Sequence, residues 1–221
     1  TLAHGFGSSL DNFGDFWGLA RHVIEDADPS AYPPKPAVME DDETLRARIQ
    51  IAPEGLTTAG SPGSYIYHAL NASADVKAAR PWRSAPGETT VAILSREANG
   101  QAPETLTDHV RDYLLPRTPL CADLVVQSAQ IHEYIVAGVI TFLPGYATQD
   151  LLVRCELALE AHCTRMHGLG IDITRAGLTH ALYLEGVQNV VLTSPAADII
   201  CNNGEAAFRI DSDLSDGGVN V

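Results

Sequence analysis

The chain has 221 residues, 45% of them hydrophobic and 19% charged, which is enough for one large domain or two small ones with a hydrophobic core. Fourteen Lys and Arg residues stand against 28 Asp and Glu residues, and the formal net charge of −14 argues against binding of nucleic acid or anionic membranes through bulk electrostatics. No apolar run approaches the roughly 20 residues of a membrane helix, so we expect no membrane insertion.

The first residues contain a motif that resembles part of an enzyme. The sequence His4-Gly5-Phe6-Gly7-Ser8-Ser9 is similar to the α/β-hydrolase loop whose backbone amides form an oxyanion hole. Such an enzyme also needs a G-x-S-x-G elbow, and the nearest stretch, Gly60-Ser61-Pro62-Gly63-Ser64, has the wrong spacing and a proline after the serine. A turn followed by a helix is favoured instead. Ser9 or Asp11 would cap this helix, and its apolar stripe is Leu10, Phe13, Trp17 and Ala20.

Residues 26–36 are rich in proline and predict an extended, semi-rigid connection. The acidic run Glu40-Asp41-Asp42-Glu43 follows. It is favoured as the solvated first turn of a helix over a metal site, because carboxylates at a helix start interact well with the helix dipole. Leu45 and Ile49 define the core face of that helix, with Arg46 and Arg48 off it.

Residues 57–63 form a Gly/Ser/Thr loop whose glycines do not match a phosphate-binding loop. The pattern then predicts a helix over 64–70 and a pair of strands over 75–84 and 89–95. A further helix opens at Pro103-Glu104, with Leu106, Val110 and Leu114 at core spacing.

The stretch from Leu120 to Gly145 predicts two strands in tandem, over 124–129 and 133–143. In the second strand, side chains of both faces are apolar. Tyr134, Val136, Ile140 and Phe142 lie on one face, and Ile135, Val139 and Leu143 on the other. Both faces therefore have to be covered, either by the strand's own domain or by a neighbouring subunit.

The C-terminal part predicts a helix capped by Thr148, a second helix over 174–182, a strand over 187–193 and a weaker strand over 206–210. The first of these helices has a core face at steps of three and four residues: Leu152, Cys155, Leu159, Cys163 and Met166.

The cysteines and histidines are the candidate metal ligands of this sequence. The four cysteines (Cys121, Cys155, Cys163, Cys201) contain no CxxC pair and are predicted to be reduced thiols. Zinc bound by His162, Cys163 and His167, with Cys155 as a further ligand, is disfavoured because the two thiols lie on a core face. No triad-like grouping includes the remaining histidines (His4, His22, His68, His109, His132, His180). We therefore expect no metal, cofactor or catalytic residues.

Several motifs in collinear order nevertheless resemble one known family. They are Gly7-x-x-Leu10-Asp11-Asn12-Phe13-Gly14-x-x-Trp17-Gly18-Leu19-x-Arg21, the run from Val38 to Gly55, Thr58-Ala59-Gly60-x-x-Gly63-x-Tyr65, Tyr67-His68-Ala69-Leu70, Val91-x-x-Leu94-Ser95-Arg96-Glu97-x-Asn99-Gly100, Phe142-x-Pro144-Gly145 and Gly186-Val187-Gln188-x-Val190-x-Leu192-Thr193-Ser194-Pro195. This set is similar to the baseplate J-like proteins of contractile phage tails. Members usually carry an additional N-terminal segment, so the chain is expected to match their middle and C-terminal part.

The resemblance implies a structural wedge component of a phage baseplate, or of a phage-derived injection device, located in the virion tail and synthesised in the host cytoplasm. Its partners would be other wedge and hub proteins and further copies of itself in the ring around the tail hub. The alternatives are a hydrolase that uses the His4–Ser9 loop and a carbohydrate- or peptide-binding module, which would need clustered exposed aromatic residues.

The expected fold is α+β, with two small mixed domains whose sheets are largely antiparallel. A helical arm with the Pro-rich connector (1–39) would precede a first domain (40–116) and a second domain of ββααββ order (117–210), followed by an acidic flexible tail (211–221).

Overall fold

The computed structural model describes residues 2–57 and 60–219, so Thr58 and Ala59 of the predicted loop, Thr1, and the last two residues of the predicted tail lie outside the described residues. The chain divides into two compact units, one ending at Ser128 and the other beginning at Ala129. The described helices are α1 (Gly7–Phe16), α2 (Asp42–Ile51), α3 (Pro62–Ala72), α4 (Glu104–Leu114), α5 (Thr148–Met166) and α6 (Arg175–Leu182). The strands are β1 (Val23–Glu25), β2 (Val38–Met39), β3 (Val76–Ala85), β4 (Glu88–Ser95), β5 (Asp123–Ser128), β6 (Gln130–Phe142), β7 (Val187–Ser194) and β8 (Glu205–Val219).

These elements confirm the predicted α+β class. Each three-stranded sheet combines one antiparallel and one parallel pair, in the order β3-β4-β5 in the first unit and β7-β6-β8 in the second. Across residues 2–57 and 60–219, no helix has the length and apolarity required to cross a bilayer.

The first unit is built on a hairpin of β3 and β4, with β5 added parallel to β4. A parallel neighbour needs a crossover connection, which the segment containing α4 supplies. Helices α3 and α4 cover the sheet, and the residues predicted for the core face of α4, Leu106, Val110 and Leu114, are all buried. The core consists of Tyr65, Ala69, Val76, Ala79, Val91, Ile93, Ala102, Leu106, Val110 and Leu114.

The strand β5 corrects the expected organisation, which assigned it to the same domain as β6. Its residues pair with β4 from Glu88↔Asp123 to Ile93↔Ser128, so β5 belongs to the first sheet although β6 follows after one residue. The alternation of side chains identified a strand, but that alternation carries no information about which neighbour a strand pairs with.

The second unit is organised around β6, which pairs antiparallel with β7 and parallel with β8. Helices α5 and α6 lie on one face of this sheet. The core between them consists of Tyr134, Val136, Ile140, Phe142, Leu151, Cys155, Leu159, Cys163, Ile173, Leu178, Leu182, Val187, Val190, Leu192, Cys201, Ala207 and Leu214. The predicted core residues Leu152 and Met166 are only partly buried at its margin, whereas Leu151 is fully inside.

The last strand corrects a second expectation. Residues 211–219 are the end of β8 rather than a flexible tail, because they pair with β6 from Ile135↔Asp211 to Phe142↔Val219. The acidic residues concealed this strand in the sequence, since carboxylates on the exposed side of an edge strand resemble a solvated tail. With β5 in the other sheet, the order within this unit is βααββ.

The N-terminal residues fold onto α2 instead of forming a separate arm. Leu10 and Leu19 pack against Leu45 and Ile49 in a third apolar cluster. The Pro-rich stretch is the loop between β1 and β2, held by paired backbone hydrogen bonds of 3.0 Å between Asp28 and Lys35.

Helix α2 also buries two arginines that the sequence placed off its core face. Arg46 and Arg48 are 8% and 4% exposed. Arg48 forms a buried ion pair with Glu40 and donates from Nη2 to Asn71 Oδ1 of α3 over 2.5 Å. Glu40, expected in a solvated turn, is only 3% exposed. Arg48 therefore links the buried Glu40 to Asn71 of α3 inside the protein.

A third arginine, Arg21, extends this polar cluster towards α1. The Arg21 guanidinium donates to Asp11 (2.6 Å) and Asp42 (2.5 Å), and its hydrogen bond lowers the pKa of Asp42. The Nε2 atom of His22 lies 3.2 Å from the Leu70 carbonyl oxygen. Burial lowers the pKa of His22, and the nearby Arg48 cation lowers this pKa further.

We predict that Arg48→Met destabilises the protein by about 3–5 kcal/mol, because Glu40 is left as an uncompensated buried charge. The matched control is Arg111→Met in α4, whose pair with Asp108 is about half exposed and contributes no more than about 1 kcal/mol. Urea unfolding followed by circular dichroism measures both. Equal losses for the two variants would contradict a structural role of the buried pair.

Two leucines of α5 provide a second matched comparison. Leu159 is fully buried, and Leu157 is 63% exposed on the other side of the same helix. We expect Leu159→Ala to cost about 2–5 kcal/mol through lost burial and the cavity that remains. Leu157→Ala should change the free energy of unfolding by less than about 0.5 kcal/mol. A comparable loss in Leu157→Ala would show that its side chain is covered in solution.

Candidate assembly surface

The hydrolase-like motif serves the start of a helix. His4 ends a short 3-10 helix, and Gly7 is the first residue of α1. The Gly7 amide donates a hydrogen bond to Asp42 Oδ2 over 3.1 Å. An oxyanion hole would need this amide as a free donor, but here it is bound to a carboxylate of the same chain. The same contact replaces the predicted side-chain cap by Ser9 or Asp11.

Ser61, the nearest approach to an elbow serine, is the N-cap of α3. Its hydroxyl donates to Glu54 Oε2 over 2.9 Å and accepts from the Ser64 amide over 3.2 Å. Within the described ranges no histidine forms a hydrogen bond with the Ser61 hydroxyl. The hydrogen bonds that this hydroxyl makes are those of a helix cap.

The cysteines and histidines of α5 pack into the core of the second unit or lie beside it. Cys155 and Cys163 are buried, and burial raises the pKa of both thiols. Cys155 Sγ lies 3.5 Å from the Leu182 carbonyl oxygen, and the His167 ring lies edge-on against Phe208 at 5.3 Å. Among residues 2–57 and 60–219, no group of three His, Cys, Asp or Glu side chains is arranged to hold a metal ion.

The predicted cap of α5 is also different, because Ala147 occupies the N-cap position and provides no side-chain hydrogen bond. Thr174 caps α6 by accepting from the Gly177 amide over 3.1 Å, a cap that was not predicted from the sequence.

A groove of about 440 Å³ in the first unit has polar walls. His109 lines it, and the His109 Nε2 lies 3.0 Å from the Ala72 carbonyl oxygen. Ser95 lines it too, and its hydroxyl accepts from the Glu97 amide over 3.1 Å. Both groups thus take part in local structural contacts.

The most distinctive surface is the face of the β7-β6-β8 sheet that α5 and α6 do not cover, which we call the outer face. Ile135 and Val139 of β6 are 40% and 38% exposed. Val191 of β7 lies directly opposite Val139 in the antiparallel register and is 52% exposed. Three aliphatic side chains on two neighbouring strands therefore form an open apolar centre.

One side of this centre is acidic. In the parallel register of β8, Asp211 lies beside Ile135 and Asp213 beside Ala137, and both aspartates are exposed. Neither aspartate forms an ion pair with any residue in the described part of the chain. The outer face thus combines an apolar centre with a negatively charged flank.

The sequence predicted half of this surface. Alternation along the predicted strand placed Ile135, Val139 and Leu143 on one face, and in the structure this chain leaves all three exposed. Val191 and the two aspartates were missed, because strand pairing and not local pattern brings them to the same face.

Aromatic residues of α1 are also exposed, which corrects the predicted stripe. Phe13 is 39% and Phe16 80% exposed, and Phe16 contacts Trp17 edge-on at 5.3 Å. The preceding Phe6 is 70% exposed, and Leu10 alone of the predicted stripe is completely buried. The cause is the short contact of α1 with α2, which covers only one narrow side of the helix.

Comparison with known proteins shows similarity along nearly the whole chain. The chain is 40% identical over 222 residues to baseplate protein J of Escherichia phage P2. This match covers 98% of the chain and 72% of that protein. No family model matches the chain.

The fold resembles that of a protein in the cryo-EM structure of the anti-feeding prophage baseplate, with a TM-score of 0.51 and 12% identity. This similarity covers 80% of the chain, which spans 44% of the length of that protein. At this level of identity the match concerns the fold. The identity to the phage P2 protein extends over almost all of the sequence, and on that basis the chain belongs to the baseplate protein J family, the structural proteins of phage tail baseplates.

Proposed function

We propose that the chain is a non-catalytic wedge component that joins other proteins of the baseplate into the ring around the tail hub of a contractile phage tail or phage-derived injection device. Other wedge and hub proteins and further copies of the same chain are its partners, and it binds no nucleic acid and no membrane. It is synthesised in the host cytoplasm and becomes part of the virion tail.

The observation that carries this proposal is the collinear 40% identity to baseplate protein J, because it includes both compact units and not one isolated motif. The outer face supports it physically. An apolar sheet face left open by the chain's own helices is the type of surface that a neighbouring subunit covers.

A non-catalytic role is supported by what the motif residues do. A hydrolase would need the Gly7 amide and the Ser61 hydroxyl for catalysis. In this chain both groups donate hydrogen bonds at the start of a helix, Gly7 to Asp42 and Ser61 to Glu54. The net charge of −14 supports partners other than nucleic acid, since a polyanionic backbone would be repelled.

The first prediction from this proposal concerns tail particles. Deletion of the gene from its own tail gene cluster should abolish complete tails, and the wild-type chain supplied in trans should restore them. Electron microscopy counts the particles, and quantitative mass spectrometry of purified particles measures the chain. Normal particles in the deletion strain, or purified tails without this chain, would refute the proposal.

The absence of a metal site is tested through the thiols. Cys121 is exposed, and the other three cysteines are buried. In native protein we expect one thiol to react quickly with a chromogenic disulfide reagent and three to react slowly. All four should titrate after denaturation without reductant.

Elemental analysis provides the matching measurement, and we expect no stoichiometric zinc. One zinc ion per chain, with thiols released only by a chelator, would show that Cys155 and Cys163 are ligands and not core residues.

A further inference from the structure

We propose that the outer face of the β7-β6-β8 sheet is the docking site for a positively charged segment of a different baseplate protein, one that presents apolar side chains next to Lys or Arg. The inference rests on the proposed function, because it specifies the chemistry of one partner through which the chain enters the baseplate.

The apolar centre supplies the contact area. Ile135 and Val139 are four residues apart on one strand, which separates them by about 13 Å at ~3.3 Å per residue. Val191 widens this row on the side of β7. A partner segment that covers the row removes the three exposed aliphatic side chains from water, which favours binding.

Glycine keeps the centre accessible on the side of β8. A Cβ atom at Gly217 would lie 2.7 Å from Val139 Cγ1 and 3.1 Å from Thr141 Oγ1. Any side chain at this position would crowd the outer face next to Val139. The chain therefore leaves open a site that an ordinary residue would partly fill.

The charge selects the partner. From Ala129 onward the sequence has eleven Asp and Glu residues and four Arg residues. None of the four arginines compensates Asp211 or Asp213 within the described residues. Arg175, for example, donates to the backbone carbonyl groups of Leu192 and Pro195. Cationic groups on the partner would pair with the two aspartates across the interface.

The same charges disfavour a second copy of this chain as the occupant. Two outer faces in contact would bring together four aspartates that have no ion-pair partner within the described residues, and like charges at close range are destabilising. Copies of the chain in the ring therefore contact one another through other surfaces.

Addition of a strand to the free edge of β8 is disfavoured for a related reason. Asp211, Asp213 and Asp216 lie along that edge strand, and charged residues are a common means of preventing edge-to-edge pairing. The partner thus covers the face of the sheet and does not extend it.

Charge reversal within assembled tails tests the proposal. In a strain whose own copy is deleted, the Asp211→Lys/Asp213→Lys variant should enter tail particles about tenfold less than the wild-type chain, because it faces cations of the partner. The matched control is Glu156→Lys/Glu160→Lys, which makes the same change of charge on exposed positions of α5 and should enter normally. Circular dichroism and thermal unfolding of the purified variants establish that both fold.

Suppressor mutations and crosslinking identify the partner. Mutations that restore incorporation of the reversal variant should change Lys or Arg of another tail protein to an acidic residue. A photo-crosslinking phenylalanine derivative at Val139 should attach to the same protein within assembled tails. A milder variant, Asp211→Asn/Asp213→Asn, should give an intermediate loss.

Normal incorporation of the reversal variant would overturn the inference. A crosslink from Val139 to a second copy of this chain, or suppressors confined to this chain, would overturn it as well. These outcomes are distinct from failure of the proposed function, in which the wild-type chain itself would be missing from purified tails.

Discussion

The second unit depends on the pairing of β6 on both of its edges. This strand of 13 residues pairs with β7 and with β8, and a shift of one residue would exchange its two faces. Gly138 stabilises the register, because a Cβ at this position would lie 2.8 Å from the Val191 carbonyl oxygen and 3.2 Å from Leu192 Cα. Only glycine lets β7 approach this closely, and that approach places Val191 opposite Val139 on the outer face.

A three-stranded sheet with two helices can bury one face only. In this unit α5 and α6 cover the face with Val136, Ile140 and Phe142, and the opposite face stays open to solvent. For an independent protein an open apolar face is a liability for aggregation. For a baseplate protein we propose that it is a surface for assembly, and like charges on the aspartates beside it would disfavour association of two such faces.

The first unit is held by a different interaction. Its N-terminal residues pack on α2 through a small apolar cluster, and the buried charges of Glu40 and Arg48 connect α2 to α3 through Asn71. Such a pair contributes little net stability compared with apolar residues, but it tolerates few alternative arrangements, since each charge needs its partner. We interpret it as the contact that fixes where the N-terminal residues join the α3–β3–β4 core.

The sequence by itself determined the α+β class, the bounds of most helices and strands, the two-faced character of β6 and the family. These depend on local periodicity and on collinear motifs, which the chain carries in its order of residues. Only the tertiary structure decided that β5 joins the first sheet, that residues 211–219 form a strand, and that Arg46, Arg48 and Glu40 are buried. Strand pairing and ion pairing join residues distant in the chain, so no local pattern records them. The outer face shows the division clearly, because Ile135 and Val139 follow from the alternation of one strand, whereas Val191 and the acidic flank reach this face only through strand pairing.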